Sequence, residues 1–305
     1  MNLIAVRRDD RFSPNSVEKD RLILEAACIK LCSSYEQQGE PAAYRWVDEA
    51  ELTAADEADV YLSMARLPEA LNILEGFERQ GRCVVNGVQG VRNCQRSKLE
   101  QLMRANHVAM PAEISVDTND LQHGVWLKRG DVAAQSKEDV VFCKDGETLR
   151  KAISAFESRG ICDYVVSRHV EGDVVKFYGV SAPPVQEGQG RGFFRFFYPT
   201  DDGQTKFGDE AAHNGQAHHY DFDSNLLQAE VERLAQLVGI AVYGGDAIVD
   251  AEGHIYIIDF NDWPSFSRCR EEASSAISSL FIQNRKSDSN FARIRNEMEK
   301  EIRKS

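Results

Sequence analysis

Gly245-Asp246-Ala-Ile-Val-Asp250-Ala-Glu-Gly-His-Ile-Tyr-Ile-Ile-Asp259-Phe-Asn261-Asp-Trp-Pro264 carries two β-branched runs around Glu252-Gly253. The pattern predicts a β-hairpin with a two-residue turn at Glu252-Gly253. Residue numbers across such a hairpin sum to 505, which sets Asp246 directly opposite Asp259. Residues two apart share a strand face, so Asp259 and Asn261 point the same way. Facing carboxylates repel and destabilise a bare sheet, so a cation belongs between them. Mg²⁺ takes one or two carboxylates together with water and substrate phosphate, which makes Asp246, Asp259 and Asn261 the candidate metal ligands. The alternative is a solvated acidic face, and the apolar runs of the flanking strands argue against it.

The rest of the composition narrows the class. A chain of 305 residues has room for two or three subdomains. Its 42% apolar and 28% charged residues are ordinary for a soluble globular protein. The apolar runs are too short to cross a bilayer, and the N-terminus lacks the order of a signal peptide, so no membrane partner is expected. Seven cysteines without a CxxC pair point to reduced thiols and a cytoplasmic location. Cys28 and Cys32, one helical turn apart, read as core residues. A net charge of −13 argues against nucleic acid as a partner, while leaving room for a small anionic substrate.

Outward from the hairpin, strands alternate with helices in the first part of the chain. Leu3–Val6, Ala43–Val47, Asp59–Ser63 and Arg82–Asn86 read as strands. Val17–Cys32, introduced by Ser16, and Pro68–Gln80 read as helices, which implies a mainly parallel sheet covered on both faces. A helix follows from Ser97 to Asn106. The middle of the chain changes to short strands (Val125–Lys128, Asp139–Cys143, Tyr164–Ser167, Val174–Val180, Phe193–Tyr198) with a helix at Glu147–Arg159. A Pro/Gly/Gln-rich loop spans Ser181–Gly192, an amphipathic helix runs from Leu226 to Val238 and stops at Gly239, and a charged tail follows Ser287.

The order Val84-Val-Asn86 … Ser97-Lys98-Leu … Met110-Pro111, Val125-Trp-Leu-Lys128, Val165-Val-Ser-Arg-His-Val-Glu-Gly-Asp173 and Asp246 … Asp259-Phe-Asn261 resembles the ATP-grasp family from about Val84 to Phe281. The gap of thirteen residues between the carboxylates (259 − 246) fits as well. The resemblance implies an N-terminal parallel-sheet α/β domain over 1–95, followed by a two-lobed α+β ATP-grasp domain. Its small lobe would span 96–167 and its large lobe 168–286, with a charged C-terminal helix over 287–305. ATP and one or two Mg²⁺ ions are the implied cofactors, and a homodimer is the assembly the family often forms.

Further roles follow from the resemblance. Lys98 and Lys128 would place ammonium groups on ATP phosphates, as point charges. Ser167, Arg168 and Val170 form the implied adenine hinge, through the Arg168 carbonyl and the Val170 N–H, with Ser167 where many relatives carry an acid. Asp173 would meet the ribose hydroxyls. Lys176 and Arg195 are the implied catalytic cations, stabilising charge on the transferring phosphoryl group. His213, Asn214, His218 and His219 read as loop polarity rather than as a metal cluster. Arg7, Arg8 and Arg66 stand near strand ends of the first domain, where ligands of open α/β sheets bind, and are candidates for a substrate anion.

Two departures stand out: the loop after Lys128 has Gly130 as its only glycine from Arg129 to Lys137, and Pro264 is followed by Ser265 where many relatives have glycine. The family's dominant chemistry implies a carboxylate–amine ligase that forms an acyl phosphate on a small-molecule or peptide substrate. The alternative enzyme is a small-molecule kinase resembling the ATP-grasp inositol trisphosphate kinases, with Arg129, Arg168, His169 and Lys176 gathered on a polyphosphate. The third reading is a nucleotide-binding subunit without turnover.

Overall fold

A computed structural model of the chain describes residues 1–13, 15–116, 121, 123–132, 134–181, 192–202 and 213–281. The tail over 287–305 and nearly all of the loop expected over 181–192 lie outside the described residues.

Four strands, β1 (Asn2–Arg7), β2 (Ala43–Asp48), β3 (Val60–Ser63) and β4 (Cys83–Val85), form a parallel sheet in the order β2-β1-β3-β4. Alternation along β1 sends Leu3 and Ala5 to one face, and Ile4 and Val6 to the other. Helix α1 (Val17–Glu36) covers the first face with Ile23, Leu24, Ala27, Cys28, Leu31 and Cys32. The two cysteines are therefore core residues, as read. Helix α2 (Pro68–Arg79), begun by Pro68 at its first position, covers the second with Ala70, Leu71, Leu74 and Phe77. Ser16 stands at the N-cap of α1, but its side chain makes no capping bond.

Two short helices, α3 (Val88–Asn93) and α4 (Arg96–Ala105), lead out of this domain. An antiparallel sheet of order β6-β5-β7 follows, built from β5 (Val125–Arg129), β6 (Val140–Cys143) and β7 (Tyr164–Arg168). Val125 and Leu127 pack with Leu149 and Phe156 of α5 (Gly146–Ser158), which leaves Trp126 and Lys128 on the opposite face.

A second antiparallel sheet of order β11-β10-β8-β9 contains β8 (Asp173–Val180), β9 (Phe193–Phe197), β10 (Val242–Val249) and β11 (Ile255–Asp262). One face is buried under α4 and α6 (Ser224–Val238) through Val175, Phe177, Tyr243, Ala247, Val249 and Phe260. Helix α6 stops where expected, at Gly239 with φ +86°. The other face meets the first domain and helix α7 (270–281) through Tyr178, Val180, Val242, Trp263 and Phe266. No described helix is long and apolar enough to cross a membrane.

The β10–β11 hairpin is present, but its turn is not the expected one. Val249 pairs with Ile255, the Asp250 N–H donates to the His254 carbonyl at 3.0 Å, and Gly253 takes φ +82°. The loop therefore has three residues, Ala251 to Gly253, and pairs near it sum to 504. A β-bulge at Ile258 then adds one, so Asp246 lies opposite Asp259 after all. The bulge decides the site. Ile255 and Ile257 point into the core under α6, and strict alternation would have buried Asp259 there too. The extra residue turns Asp259 and Asn261 onto the other face.

Candidate functional site

On that face Lys176, Asp246 and Asp259 stand in neighbouring register across β8, β10 and β11. The Lys176 ammonium is bonded to Asp246, and both side chains are largely buried. Burial works against the lysine charge, but Asp246, with Tyr178 and Asp259 behind it, outweighs burial and holds the Lys176 pKa above its ordinary value. Asp259 accepts from Asn261 Nδ2 at 2.7 Å and lies 3.4 Å from Arg96 Nη2. Each of the facing carboxylates thus has a protein cation beside it, Lys176 on Asp246 and Arg96 near Asp259. Gly244 and Gly245 allow the close packing. A Cβ at Gly245 would lie 2.1 Å from the Asp259 carbonyl, and one at Gly244 would lie 2.8 Å from Pro264.

Lys128 is buried on β5, and its Nζ lies 3.3 Å from the carbonyl of Ile258, the bulge residue. Together with Ser167, Met110, Ile257 and Asp259 it lines a narrow cavity of about 20 Å³ between the two lobes. Helix α4 lines the same cavity with Arg96, Leu99, Glu100 and Met103. Those four fall at i, i+3, i+4 and i+7, one face of a helix. Lys98 is off that face and exposed, so the α4 cation that reaches the carboxylates is Arg96. The sequence reading missed Arg96 and Glu100, though helical spacing from Leu99 and Met103 was the signal for both. Burial raises the Glu100 pKa against the pull of Lys128, Arg96 and Arg104, and its Oε2 has no hydrogen-bond partner.

In the hinge, Ser167 is buried, and the Arg168 N–H donates to the Ala112 carbonyl at 2.8 Å. The Val170 N–H has no partner among the described residues. Asp173 is buried, and its two oxygens accept from the backbone N–H groups of His218 at 2.6 Å and Tyr220 at 2.9 Å. Its carboxylate anchors that loop rather than facing open space. Trp126 donates to His169 Nδ1 at 3.1 Å, and burial, then His213, lowers the His169 pKa. The histidines of the loop do not converge: His213 lies on Phe142, His218 on Tyr220 and His219 on Tyr198. Arg195 is exposed on β9 opposite Tyr178, bonded to Glu272 at 2.8 Å and set over Phe193.

The segment after β5 is organised by acids rather than by glycine. Arg129 forms a two-pronged pair with Asp131, and Asp139 accepts from the N–H groups of Gln135 and Ser136. Gly130 sits against Ser97 and Asp163, where a Cβ would have no room. Ala133 lies outside the described residues.

The first domain reaches the end of β11. Arg66 pairs with Asp262 at 2.6 Å, and Arg8 donates to the Trp263 carbonyl at 2.8 Å. Arg7 pairs with Asp48. Asn86 receives the N–H groups of Ala241 and Val242 and donates to the Val242 carbonyl. The donor atoms of Asp246, Asp259 and Asn261, an oxygen-rich and partly buried set, suit a hard divalent cation that takes the place of the Lys176 and Arg96 contacts.

The sequence matches no family model and no curated protein. Solved structures, however, are similar over almost the whole chain. D-alanyl-alanine synthetase A from Vibrio cholerae has 13% identity and a TM-score of 0.63, with 93% of this chain and 96% of that one covered. A D-alanine–D-alanine ligase from Bacillus anthracis complexed with ATP has 10% identity and a TM-score of 0.59, covering 94% and 99%. A RimK-domain ATP-grasp protein from Sphaerobacter thermophilus has 17% identity and a TM-score of 0.57, covering 92% and 99%. A parallel-sheet α/β domain followed by the ATP-grasp architecture is thus the fold found. Identities this low carry the fold and nothing finer.

Proposed function

We propose that this chain, which has the ATP-grasp fold, is an Mg-ATP-dependent carboxylate–amine ligase. The observation that carries the reading is the facing pair Asp246 and Asp259 with Asn261 beside it, turned out of the core by the Ile258 bulge. Likeness over nine-tenths of the chain to structures named as ligases supports the reaction class. The acceptor is a small molecule or peptide of unassigned identity. Seven cysteines without a disulfide suit a reducing, cytoplasmic setting.

In this reading Asp246, Asp259 and Asn261, through its carbonyl oxygen, hold the metal, which when bound neutralises charge on the ATP phosphates. Lys128 and Arg96 border the cavity between the lobes and set cations against the polyphosphate. Lys176, released from Asp246, presents its ammonium to the transferring phosphoryl group, where electrostatic placement supplies most of the rate. A substrate carboxylate oxygen bonds to the γ-phosphorus as ADP leaves. An amine then bonds to the acyl carbon, and phosphate departs with the C–O electron pair. The Val170 N–H and the Arg168 carbonyl remain the proposed adenine contacts. Lys98 at the rim and Arg195 at the sheet edge need a change of rotamer to take part.

The kinase alternative asks for cations gathered on a polyphosphate. Arg129 is committed to Asp131 and His169 accepts from Trp126, which weighs against gathering those two on a polyphosphate. Incubation with Mg-ATP and pooled carboxylates and amines, read by mass spectrometry, tests the choice. The ligase yields a condensed amide with ADP. A product heavier by one phosphoryl group means a kinase, and absence of ADP from every pool means a binding subunit.

A further inference from the structure

We propose that residues 213–220 form an autoinhibitory strap across the hinge, which takes the contacts of a nucleoside and must swing away before a nucleotide binds. The strap rests on the Mg-ATP reading of the site and adds a regulatory step to it.

In sequence the strap lies between β9 and α6 of the large lobe, yet its first ring packs on the small lobe. Trp126 pairs in register with Phe142 and with Ser167. The three share the face that also carries Lys128, whose Nζ reaches across to the Ile258 carbonyl of the other lobe. The His213 ring lies on Phe142 with centroids 3.8 Å apart and meets Trp126 edge-on at 5.5 Å. A flat heteroaromatic ring is thus stacked two residues along β5 from Lys128, and 6.3 Å from the ring of His169, the neighbour of Val170.

The backbone of the strap does to Asp173 what a sugar would do. The buried carboxylate accepts from the His218 N–H at 2.6 Å and the Tyr220 N–H at 2.9 Å, one on each oxygen. The paired hydroxyls of a ribose offer two donors in the same way, so strap and sugar compete for Asp173. Asn214 Oδ1 accepts from the Gly172 N–H at 3.4 Å, which ties the other end of the strap to the hinge. Ring and donors together cover the stretch from His169 to Asp173.

The strap is lightly held. His213, Gly215, Gln216, His218 and His219 are exposed, so lifting them uncovers little apolar surface of their own. His219, between the two donors, is kept at φ +57°, a left-handed conformation that is unfavourable for a residue other than glycine. Phe222, packed at the margin of the core under α6, fixes the chain beyond, which makes the motion a swing. A nucleotide then binds only the open fraction of molecules, and its apparent dissociation constant is the intrinsic one divided by that fraction.

Hydrogen exchange and titration calorimetry of the full chain with the non-hydrolysable analogue Mg-AMP-PNP test the strap. Saturating analogue should speed exchange at the His218 and Tyr220 amides at least about tenfold, because both lose their bond to a carboxylate. His213→Ala, at an exposed position, should bind the analogue about two- to tenfold more tightly, the worth of one aromatic contact. Thermal melts establish that the variant is folded. Exchange that is unchanged or slowed by bound analogue, or a variant that binds it no more tightly, overturns the strap while the Mg-ATP reading stands. Binding to neither wild type nor variant ends the Mg-ATP reading, and the strap with it. Binding to the variant alone supports both.

Discussion

Asp259 meets an amide at 2.7 Å, a guanidinium at 3.4 Å and the carboxylate of Asp246 across the ladder. Replacing it with Asn keeps the shape and removes the charge on which the proposed divalent ion would depend. Asp259→Asn should lower ATP turnover by about 10²–10³-fold, measured as ADP release, with an unchanged circular dichroism spectrum. Glu100 makes the opposite case. Its folded pKa lies above the ordinary carboxylate value because burial penalises its charge. The ionised form is thus a cost of folding, absent below the unfolded pKa, growing from there and complete once the pH has passed the folded one. Glu100→Gln should raise the urea midpoint near pH 8, and the gain should vanish near pH 4. Not every such role could be read in advance. Asp173 looked free for a ribose because nothing in its local sequence shows that the backbone of His218 and Tyr220, some 45 residues on, takes both oxygens. Lys98 and Arg96 stand two apart, and only the helical face through Leu99 and Met103 tells which of them turns inward.

The β10–β11 hairpin shows how an element can be legible for partly wrong reasons. The β-branched runs identified both strands, and the sum of 505 placed the two carboxylates opposite each other correctly. The turn was misread because Asp250 accepts from the N–H groups of Glu252 and His254, drawing the chain into a longer loop than Glu252-Gly253 alone implies. One extra residue in the loop and one in the bulge cancel. Each side chain from Ile255 to Ile258 points opposite to the simple expectation, while Asp259 and Asn261 do not. Parallel pairing of the first four strands, by contrast, followed from the strand–helix alternation and needed no such accident. The loop itself depends on Gly253, whose φ is +82° and whose added Cβ would lie 2.6 Å from the Asp221 carbonyl. Gly253→Ala should cost about 1–3 kcal/mol in urea unfolding, with a larger loss of Mg-ATP affinity than an exposed surface substitution causes.

Across the whole molecule, the first domain and the large sheet share one apolar core and several buried polar bonds. Asn86 contributes three of those bonds, to Ala241 and Val242 on β10 and just before it. Asn86→Ala leaves those backbone groups buried without partners and should cost about 3 kcal/mol or more, seen as a lower urea midpoint. Asp262 is held by Arg66 and approached by Arg8, and the Trp263 indole donates to the Val85 carbonyl at 3.1 Å. The strand that carries two of the three proposed metal ligands is thus moored at its far end by residues from the first hundred positions. It follows that the half of the chain with the ATP-grasp architecture is not a portable module. A fragment starting at residue 96, or a chimera given a foreign first domain, would keep every ligand in its sequence. It would still lose the mooring that keeps Asp259 and Asn261 in line with Asp246.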